Sequence, residues 1–490
     1  MPGPGVARSK EEGPDRVNAA VDTADRAGGG GGGAIGEYFK FAERGTNLAT
    51  EIRGGLTTFM VMVYIVFVNA SILGDGFGLA ADDPGRIALS AGTALIAGIM
   101  TIAMGVVGNY PFALAAGLGI NAIVAFGLGP FGRGLTPAGA MGVIVLEGIA
   151  VTLLVLVGLR EAVMNAIPLG LKRAIGAGIG LFILFIGFAN GGLIKTGCGP
   201  GSEEAGACFG TLVTYSLPTT PAQYVFLFGL ALTVVLWARR IKAALIISIL
   251  VTTLLAIVAG VTTVGPVSWA PSFTTLGSFD IGNVFATLPL LTAILVIFAI
   301  MLTDFFDTMG TVTGVAAEAG LAREDGSVPG AGRVLLVDSV AAFVGGLGGV
   351  SSNTTYIESA AGVAEGARTG FASVVTGVLF LLAIFLAPLA GIIPGVATAP
   401  ALVLVGYLMF SQVRDIKVDS FEDGFPALLT MLLMPLTYDI SIGIGAGFIS
   451  WVLIKVFRGK ASEVHPLMWV VSIAFVVFFA QNLIESYLPQ

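Results

Sequence analysis

Residues 351–366 read SSNTTYIESAAGVAEG, a short polar and glycine-rich stretch that lies between long apolar runs. A second stretch of this kind, ALAAGLGINA, occupies residues 113–122. The apolar runs that overlap these stretches, 353–366 and 111–128, are short for a continuous membrane helix, which needs about 20 residues. Short, interrupted segments at corresponding positions of two halves are typical of secondary transporters. We therefore predict that both stretches form broken or half helices.

The composition of the whole chain indicates a membrane protein. Of 490 residues, 56% are hydrophobic and 11% are charged, whereas a soluble domain carries about 25% charged residues. The 70 glycines fit helices that pack backbone to backbone. This composition excludes an ordinary soluble enzyme, a nucleic-acid-binding protein and a disordered protein. We predict an all-α polytopic membrane protein.

The basic residues predict an orientation in the membrane. A polar N-terminal tail, predicted to be flexible, precedes a series of apolar runs. If the N-terminus is cytoplasmic and fourteen segments alternate, only Arg86, Arg133 and Lys195 of the 24 basic residues fall in outer loops. The run 467–487 would be a fifteenth segment or lie at the interface. Cys198 and Cys208 fall in an outer loop, where a disulfide and two free thiols are equally open alternatives.

The chain also contains a weak internal repeat. Ile167, Pro168 and Gly180 recur at the same spacing as Ile393, Pro394 and Gly406. The polar residues Asn69 and Asn121 of the first half correspond to Asp304 and Glu358 of the second. Seven segments per half is an odd number, so the halves enter the membrane in opposite directions, which predicts a 7+7 inverted repeat. The predicted units are a tail and surface segment (1–53), a core domain (54–158 and 285–391), a gate domain (159–284 and 392–457) and a C-terminal segment (458–490).

Ionisable residues within the predicted spans are all acidic. They are Glu147, Asp304, Asp307, Asp338 and Glu358. Each costs about 2.5–3.5 kcal/mol to insert, so each is a candidate for function. No basic residue is predicted at the same depth, and burial favours the protonated form of a carboxyl group. These groups could therefore carry a proton, and they argue against an anionic substrate.

Four residues stand out as candidate site residues. Asp304 and Asp307, in TDFFDTMG (303–310), share one helix face, where two close carboxylates resist joint ionisation. Glu358 begins a predicted half helix, whose unpaired N–H groups favour negative charge. Asn121 follows Gly117 and Gly119, which permit close approach of the backbone. Packing between helices is the alternative role for these residues, and Glu147 and Asp338 are predicted to be structural or coupling groups.

Several motifs resemble a known family. GLTTF (55–59), YIVFVN (64–69), ALAAGLGINA, DFFDTMGT, TTYIESAAGVAEG and MPLTY (434–438) resemble the AzgA-like branch of the nucleobase–ascorbate transporters, which are purine permeases for hypoxanthine, guanine and adenine. The resemblance implies a fold similar to the uracil permeases, homodimers, and a purine site lined by Asn121, Asp304 and Glu358. The positions Thr355, Tyr356, Ile357, Ala116 and Gly117 are also predicted to bind substrate. This chain has Ala116 and Ala70 where the family usually has proline.

The sequence thus predicts a secondary active transporter that imports purines with protons by alternating access. Asp304, Glu358 and Asp307 are predicted to couple the proton, with no metal, cofactor or nucleic acid involved. The expected location is a bacterial-type inner membrane, with a cytoplasmic N-terminus. The alternatives are a sulfate or bicarbonate carrier of the same fold and an ion channel with an acidic filter. A membrane enzyme is disfavoured because no nucleophile–base pair or metal cluster is evident and the only histidine is His465.

Overall fold

Long apolar helices form most of the protein because, in a bilayer, a helix satisfies its backbone hydrogen bonds within one segment. The computed structural model describes residues 33–80, 83–158, 166–196, 213–262, 270–323 and 327–487. Within these ranges, nine helices are long and apolar enough to cross a membrane. The predicted helical fold class is confirmed, whereas the count of fourteen segments stays a prediction. The tail 1–32, Cys198 and Cys208 lie outside the described residues.

The elements of the first half are as follows. They are α1 (Gly33–Tyr38), α2 (Leu48–Met62), α3 (Ile65–Gly76), α4 (Pro84–Ala103), β1 (Leu114–Ala116), α5 (Leu118–Ala122), α6 (Pro137–Leu156), α7 (Leu169–Asn190), β2 (Ile194–Thr196), β3 (Val213–Tyr215), α8 (Pro221–Ala238) and α9 (Ala244–Val258). π-Helical turns, Met104–Gly108 and Ile123–Leu128, extend α4 and α5.

The elements of the second half follow in the same manner. They are α10 (Ile281–Thr287), α11 (Leu290–Glu318), α12 (Ala331–Leu347), β4 (Asn353–Thr355), α13 (Ser359–Ala364), α14 (Gly370–Ala383), α15 (Gly395–Phe410), α16 (Phe421–Thr437), α17 (Ile440–Phe457) and α18 (Pro466–Tyr487). 3₁₀ turns, Ile384–Gly391 and Ser411–Asp415, extend α14 and α15.

Local sequence signals explain where several helices begin. The Asp83 side chain accepts a hydrogen bond from the Gly85 N–H at 2.7 Å, and Pro84 occupies the first helical position of α4. Thr220 and Gln223 form a capping box at the start of α8. These side chains satisfy amide groups that a helix start leaves without intrahelical partners.

Glycines allow helices of the two halves to pack at backbone contact. A Cβ atom on Gly180 of α7 would lie 2.6 Å from the Gly406 carbonyl oxygen of α15, and the reverse distance is also 2.6 Å. These are the two glycines that the repeat aligned. Gly105 and Gly370 face each other in the same way between the end of α4 and α14, at 2.3 and 2.0 Å. Any larger residue at these positions would force the helices apart.

The two predicted half-helix stretches differ in detail from the expectation. Each consists of a short strand followed by a short helix, β1 with α5 and β4 with α13. The strands pair antiparallel with each other. Equivalent segments of an inverted repeat run in opposite directions, so antiparallel pairing is what this symmetry requires.

Arg86 is more buried than an outer-loop residue. It lies in the first turn of α4, is 5% exposed, and pairs with Asp75 at 2.6 Å. Its Nε also donates to the Ala80 carbonyl at 2.8 Å. Burial of a guanidinium is tolerated here because acceptors surround it.

The C-terminal run 467–487 is helical and belongs to the packed structure. Phe475 of α18 lies 6.3 Å from Phe298 of α11 and 6.0 Å from Phe448 of α17, measured between ring centroids. α18 therefore packs against helices of both predicted domains.

Candidate substrate site

The strands β1 and β4 form a fully buried two-stranded antiparallel sheet between the two halves, which we call the strand crossing. Leu114 lies opposite Thr355, and Ala116 lies opposite Asn353. The hydrogen bonds continue beyond the strands, since the Tyr356 N–H donates to the Ala113 carbonyl at 3.0 Å. This crossing brings the segment 113–122, which carries Asn121, next to the segment 351–366, which carries Glu358.

Asp338 of α12 anchors β4 from one side. Its carboxylate accepts hydrogen bonds from the Thr308 hydroxyl at 2.7 Å and from the Thr355 N–H at 3.1 Å. The hydroxyls of Thr308 and Thr354 are 2.8 Å apart. Asp338 is fully buried, and donors to a carboxylate stabilise such burial. Its contacts support the predicted structural role.

Glu358 lies immediately before α13 and is half-buried. Its Oε1 accepts a hydrogen bond from the Tyr64 hydroxyl at 2.7 Å. The expectation that the N-terminus of a half helix would hold this carboxylate is wrong in this form. α13 has only six residues, and the Glu358 side chain makes no capping hydrogen bond to it. A helix this short offers little macrodipole, and the side-chain donor to this carboxylate is the Tyr64 hydroxyl.

The two aspartates of α11 have different surroundings. Asp304 is fully buried, whereas Asp307 is half-buried. Asp307 lies within electrostatic range of Asp338 and Glu358. The structure therefore brings Asp307 into the same charge cluster as Glu358, and both reach accessible surface.

Asn121 is fully buried, and its amide is only partly engaged. Its Nδ2 donates to the Ala116 carbonyl at 3.4 Å. Its Oδ1 has no hydrogen-bond partner in the part of the chain that the structure describes. A buried amide oxygen without a partner is unusual in a folded protein and indicates a place for a water molecule or a ligand.

The backbone of Ala116 and Gly117 is already hydrogen-bonded. The Ala116 carbonyl accepts from the Tyr356 hydroxyl as well as from Asn121, and the Gly117 N–H donates to the Ser352 carbonyl at 2.9 Å. These two residues hold the crossing together. Their predicted contact with substrate stays a prediction.

Accessible space lies beside the half-buried carboxylates of Asp307 and Glu358. Ile357 is 48% exposed, although its neighbours in the chain are largely buried. A Cβ atom on Gly314 would lie 3.8 Å from the Ile357 side chain, and one on Gly310 would meet no atom within 4 Å. Small residues on α11 therefore leave space next to Asp307.

Two partners in this region were not identified as such from the sequence. They are Tyr64 and Thr308, which hydrogen-bond to Glu358 and Asp338 respectively. The signal for Tyr64 was available, because it is a single phenol within an apolar run and a buried tyrosine hydroxyl usually has a partner.

Comparison with known proteins places the chain in a family. A sequence model described as Permease family (Xan_ur_permease) matches residues 49–446. The guanine/hypoxanthine permease PbuG of Bacillus subtilis is 40% identical over 456 residues, which cover 90% of this chain and 98% of that protein. The adenine permease AdeP of Escherichia coli is 39% identical over 449 residues, covering 91% and 96%.

Solved structures show the same fold at low sequence identity. The transmembrane domain of the cyanobacterial bicarbonate transporter BicA superposes with a TM-score of 0.57 at 14% identity, covering 81% of this chain and 96% of that one. SLC26A9 gives 0.60 at 13% identity, covering 94% and 73%. At this identity only the fold is comparable. The chain therefore belongs to the Permease family, as its motifs predicted, and is a multi-pass membrane transporter and not an enzyme.

Proposed function

We propose that the protein imports purine nucleobases together with protons. The observation that carries this proposal is the pair of half-buried carboxylates, Asp307 and Glu358, beside the strand crossing of a chain that is 40% identical to a guanine/hypoxanthine permease. The expected location is a bacterial-type inner membrane with a cytoplasmic N-terminus, which the distribution of basic residues supports. The resemblance further supports a homodimer.

Purine rings offer N–H donors and ring-nitrogen acceptors along one edge. Glu358 and Asp304 would accept hydrogen bonds from N–H groups, and the amide of Asn121 would complete the edge. The segments 87–132, 281–322 and 334–367, which carry these residues, contain no lysine, arginine or histidine. A neutral heterocycle fits such a site better than an anion, and buried polar groups reject analogues that leave them unpaired.

Proton coupling follows from the same carboxylates. Asp307 and Glu358 are within electrostatic range of each other, so ionising both at once is unfavourable. Protonation of Asp304, Asp307 or Glu358 from outside would permit loading, and loss of the proton to the cell interior would release the purine. Each proton that enters adds about 2.3 kcal/mol per 100 mV of membrane potential.

Alternating access requires the predicted core and gate domains to move relative to each other. Three polar contacts join them at the end away from most basic residues. They are Arg133 to Asp439 at 3.1 Å, Thr398 to Ser71 at 3.0 Å and Asn190 to Asp75 at 3.5 Å. At the opposite end, Lys242 pairs with Glu365. We assign the first end to the outside and the first three contacts to a closed outer gate.

An anion carrier is the second candidate, because BicA and SLC26A9 share the fold. The acidic groups of the site and the lack of nearby bases oppose it. An ion channel with an acidic filter is the third candidate. It would conduct without saturation, whereas a carrier saturates and exchanges substrate.

Uptake of radiolabelled hypoxanthine by cells that lack their own purine permeases tests these alternatives. We expect saturable uptake that adenine or guanine reduces, that uracil leaves unchanged, and that an uncoupler abolishes. Uptake insensitive to the uncoupler would contradict proton coupling. Uptake of sulfate or bicarbonate, without purine uptake, would favour the anion carrier, and flux that never saturates would favour the channel.

A further inference from the structure

Tyr64 occupies an interruption between two helices. α2 ends at Met62 and α3 begins at Ile65, so Val63 and Tyr64 form the connection between them. The Tyr64 side chain is 1% exposed and is among the largest fully buried side chains of the described residues. Its neighbours along the chain, from Met62 to Val68, are apolar and buried.

The hydroxyl of this residue contacts the candidate site. It donates to Oε1 of Glu358 at 2.7 Å, across 294 positions of sequence. A buried phenol needs a partner for its hydroxyl, and here the partner is a carboxylate that also reaches accessible surface. The contact therefore joins the apolar interior of the first half to the acidic group of the second.

A glutamate carboxylate rotates broadly about its last torsion unless a neighbour fixes it. The Tyr64 hydroxyl donates to Oε1, one of the two oxygens, and so restricts this rotation. We propose that Tyr64 is a positioning residue, which orients Glu358 so that Oε2 faces the purine. This inference rests on the proposed function, because Glu358 is the predicted acceptor for a purine N–H group.

The role predicts a loss of substrate affinity with little loss of turnover. Tyr64→Phe removes one buried oxygen and keeps the ring, so the fold should remain. We expect the KM for hypoxanthine to rise about 10-fold, as for one lost hydrogen bond to a charged group, with Vmax within about twofold of the wild type. Tyr407→Phe is the matched control, because Tyr407 is 57% exposed on α15, and it should leave both constants unchanged.

A double-mutant cycle separates positioning from general packing. Binding of hypoxanthine to purified protein is measured for Tyr64→Phe, Glu358→Gln and the double variant, with thermal unfolding as the check on folding. We expect Tyr64→Phe to weaken binding in the wild type and to add nothing in Glu358→Gln. Equal losses in both backgrounds would show a packing effect and overturn the proposal.

The two proposals fail in different ways. Wild-type protein that neither binds nor transports any purine would refute the proposed function, and the role of Tyr64 with it. If the wild type binds hypoxanthine and the affinity of Tyr64→Phe is the same, the positioning role alone is refuted. If Tyr64→Phe does not fold, 3-fluorotyrosine at position 64 keeps the hydroxyl and alters its donor strength. An unchanged affinity would then overturn the proposal.

Discussion

The ion pair between Arg133 and Asp439 should hold the outer gate closed. Arg133 follows α5 in the first half, and Asp439 precedes α17 in the second. The side chains are 22% and 21% exposed, and their charged atoms lie 3.1 Å apart. The Arg133 guanidinium also lies 5.6 Å from the Phe478 ring of α18. The pair therefore spans the predicted boundary between core and gate in a partly shielded setting.

The size of the effect follows from this shielding. A fully exposed pair contributes about 0–1 kcal/mol, and partial burial raises the contribution to about 1.5 kcal/mol. Loss of that stabilisation changes the ratio of closed to open forms about 10-fold. Arg133→Gln and Asp439→Asn each remove one charge. The asparagine can still accept the Ser441 N–H that Asp439 accepts at 2.8 Å, so the start of α17 is preserved.

Labelling of an engineered cysteine measures the opening. Ser71 is 5% exposed and accepts a hydrogen bond from Thr398, another of the contacts assigned to the closed outer gate. In a background with both native cysteines replaced by serine, Ser71→Cys is treated with a membrane-impermeant maleimide from outside. We expect about 10-fold faster labelling in either charge variant. Glu43→Gln is the control, since the Lys40–Glu43 pair is 54% and 65% exposed and joins residues three positions apart.

The double variant decides whether the pair itself is responsible. Arg133→Gln with Asp439→Asn should label at the rate of either single variant, because the interaction is already lost. Unchanged labelling in the single variants would refute a gating role. Multiplication of the two single effects would show that each residue acts through other contacts.

Three further predictions concern other parts of the molecule. Glu358→Gln should abolish proton-coupled uptake while the protein still inserts, and Asp304→Asn should do the same; uptake at the wild-type level that the uncoupler still abolishes would remove that residue from the mechanism. Glu51→Gln should destabilise the protein by about 2–4 kcal/mol, seen as a lower Tm. The buried Glu51 carboxylate accepts the N–H groups of Arg368, Thr369 and Ala372 at 2.8–3.3 Å, and an amide nitrogen cannot accept them; an unchanged Tm would show that other groups hold the start of α14. Deleting residues 1–33 should leave uptake intact, because the sequence predicts a linker there, and a large loss at equal expression would show a functional tail.

Much of the fold follows from properties that a sequence displays locally. Apolar length predicted the helices, and the run 138–158 corresponds closely to α6, Pro137–Leu156. Repeat spacing aligned Gly180 with Gly406, which meet in the structure. The cost of placing a carboxyl group in a membrane marked Asp304, Asp307 and Glu358 as candidates.

The arrangement of the candidate site could not be predicted from local sequence. Nothing local predicted that short strands would begin the two half-helix stretches, because a strand of three residues needs its partner to exist. α13 proved too short to hold Glu358 by its dipole. The identity of the half-buried aspartate also depends on which face of α11 meets β4, and spacing alone places Asp304 and Asp307 on one side.

The sequence by itself determined that this is a helical membrane transporter with acidic groups in its spans, because hydrophobicity and the expense of buried charge are properties of short segments. Only the tertiary structure decided that Tyr64 holds Glu358, that Asp338 anchors β4 and that Arg133 meets Asp439. The physical reason is that a hydrogen bond or ion pair depends on the distance between two atoms. When the partners lie on different helices or strands, the packing of those elements sets that distance.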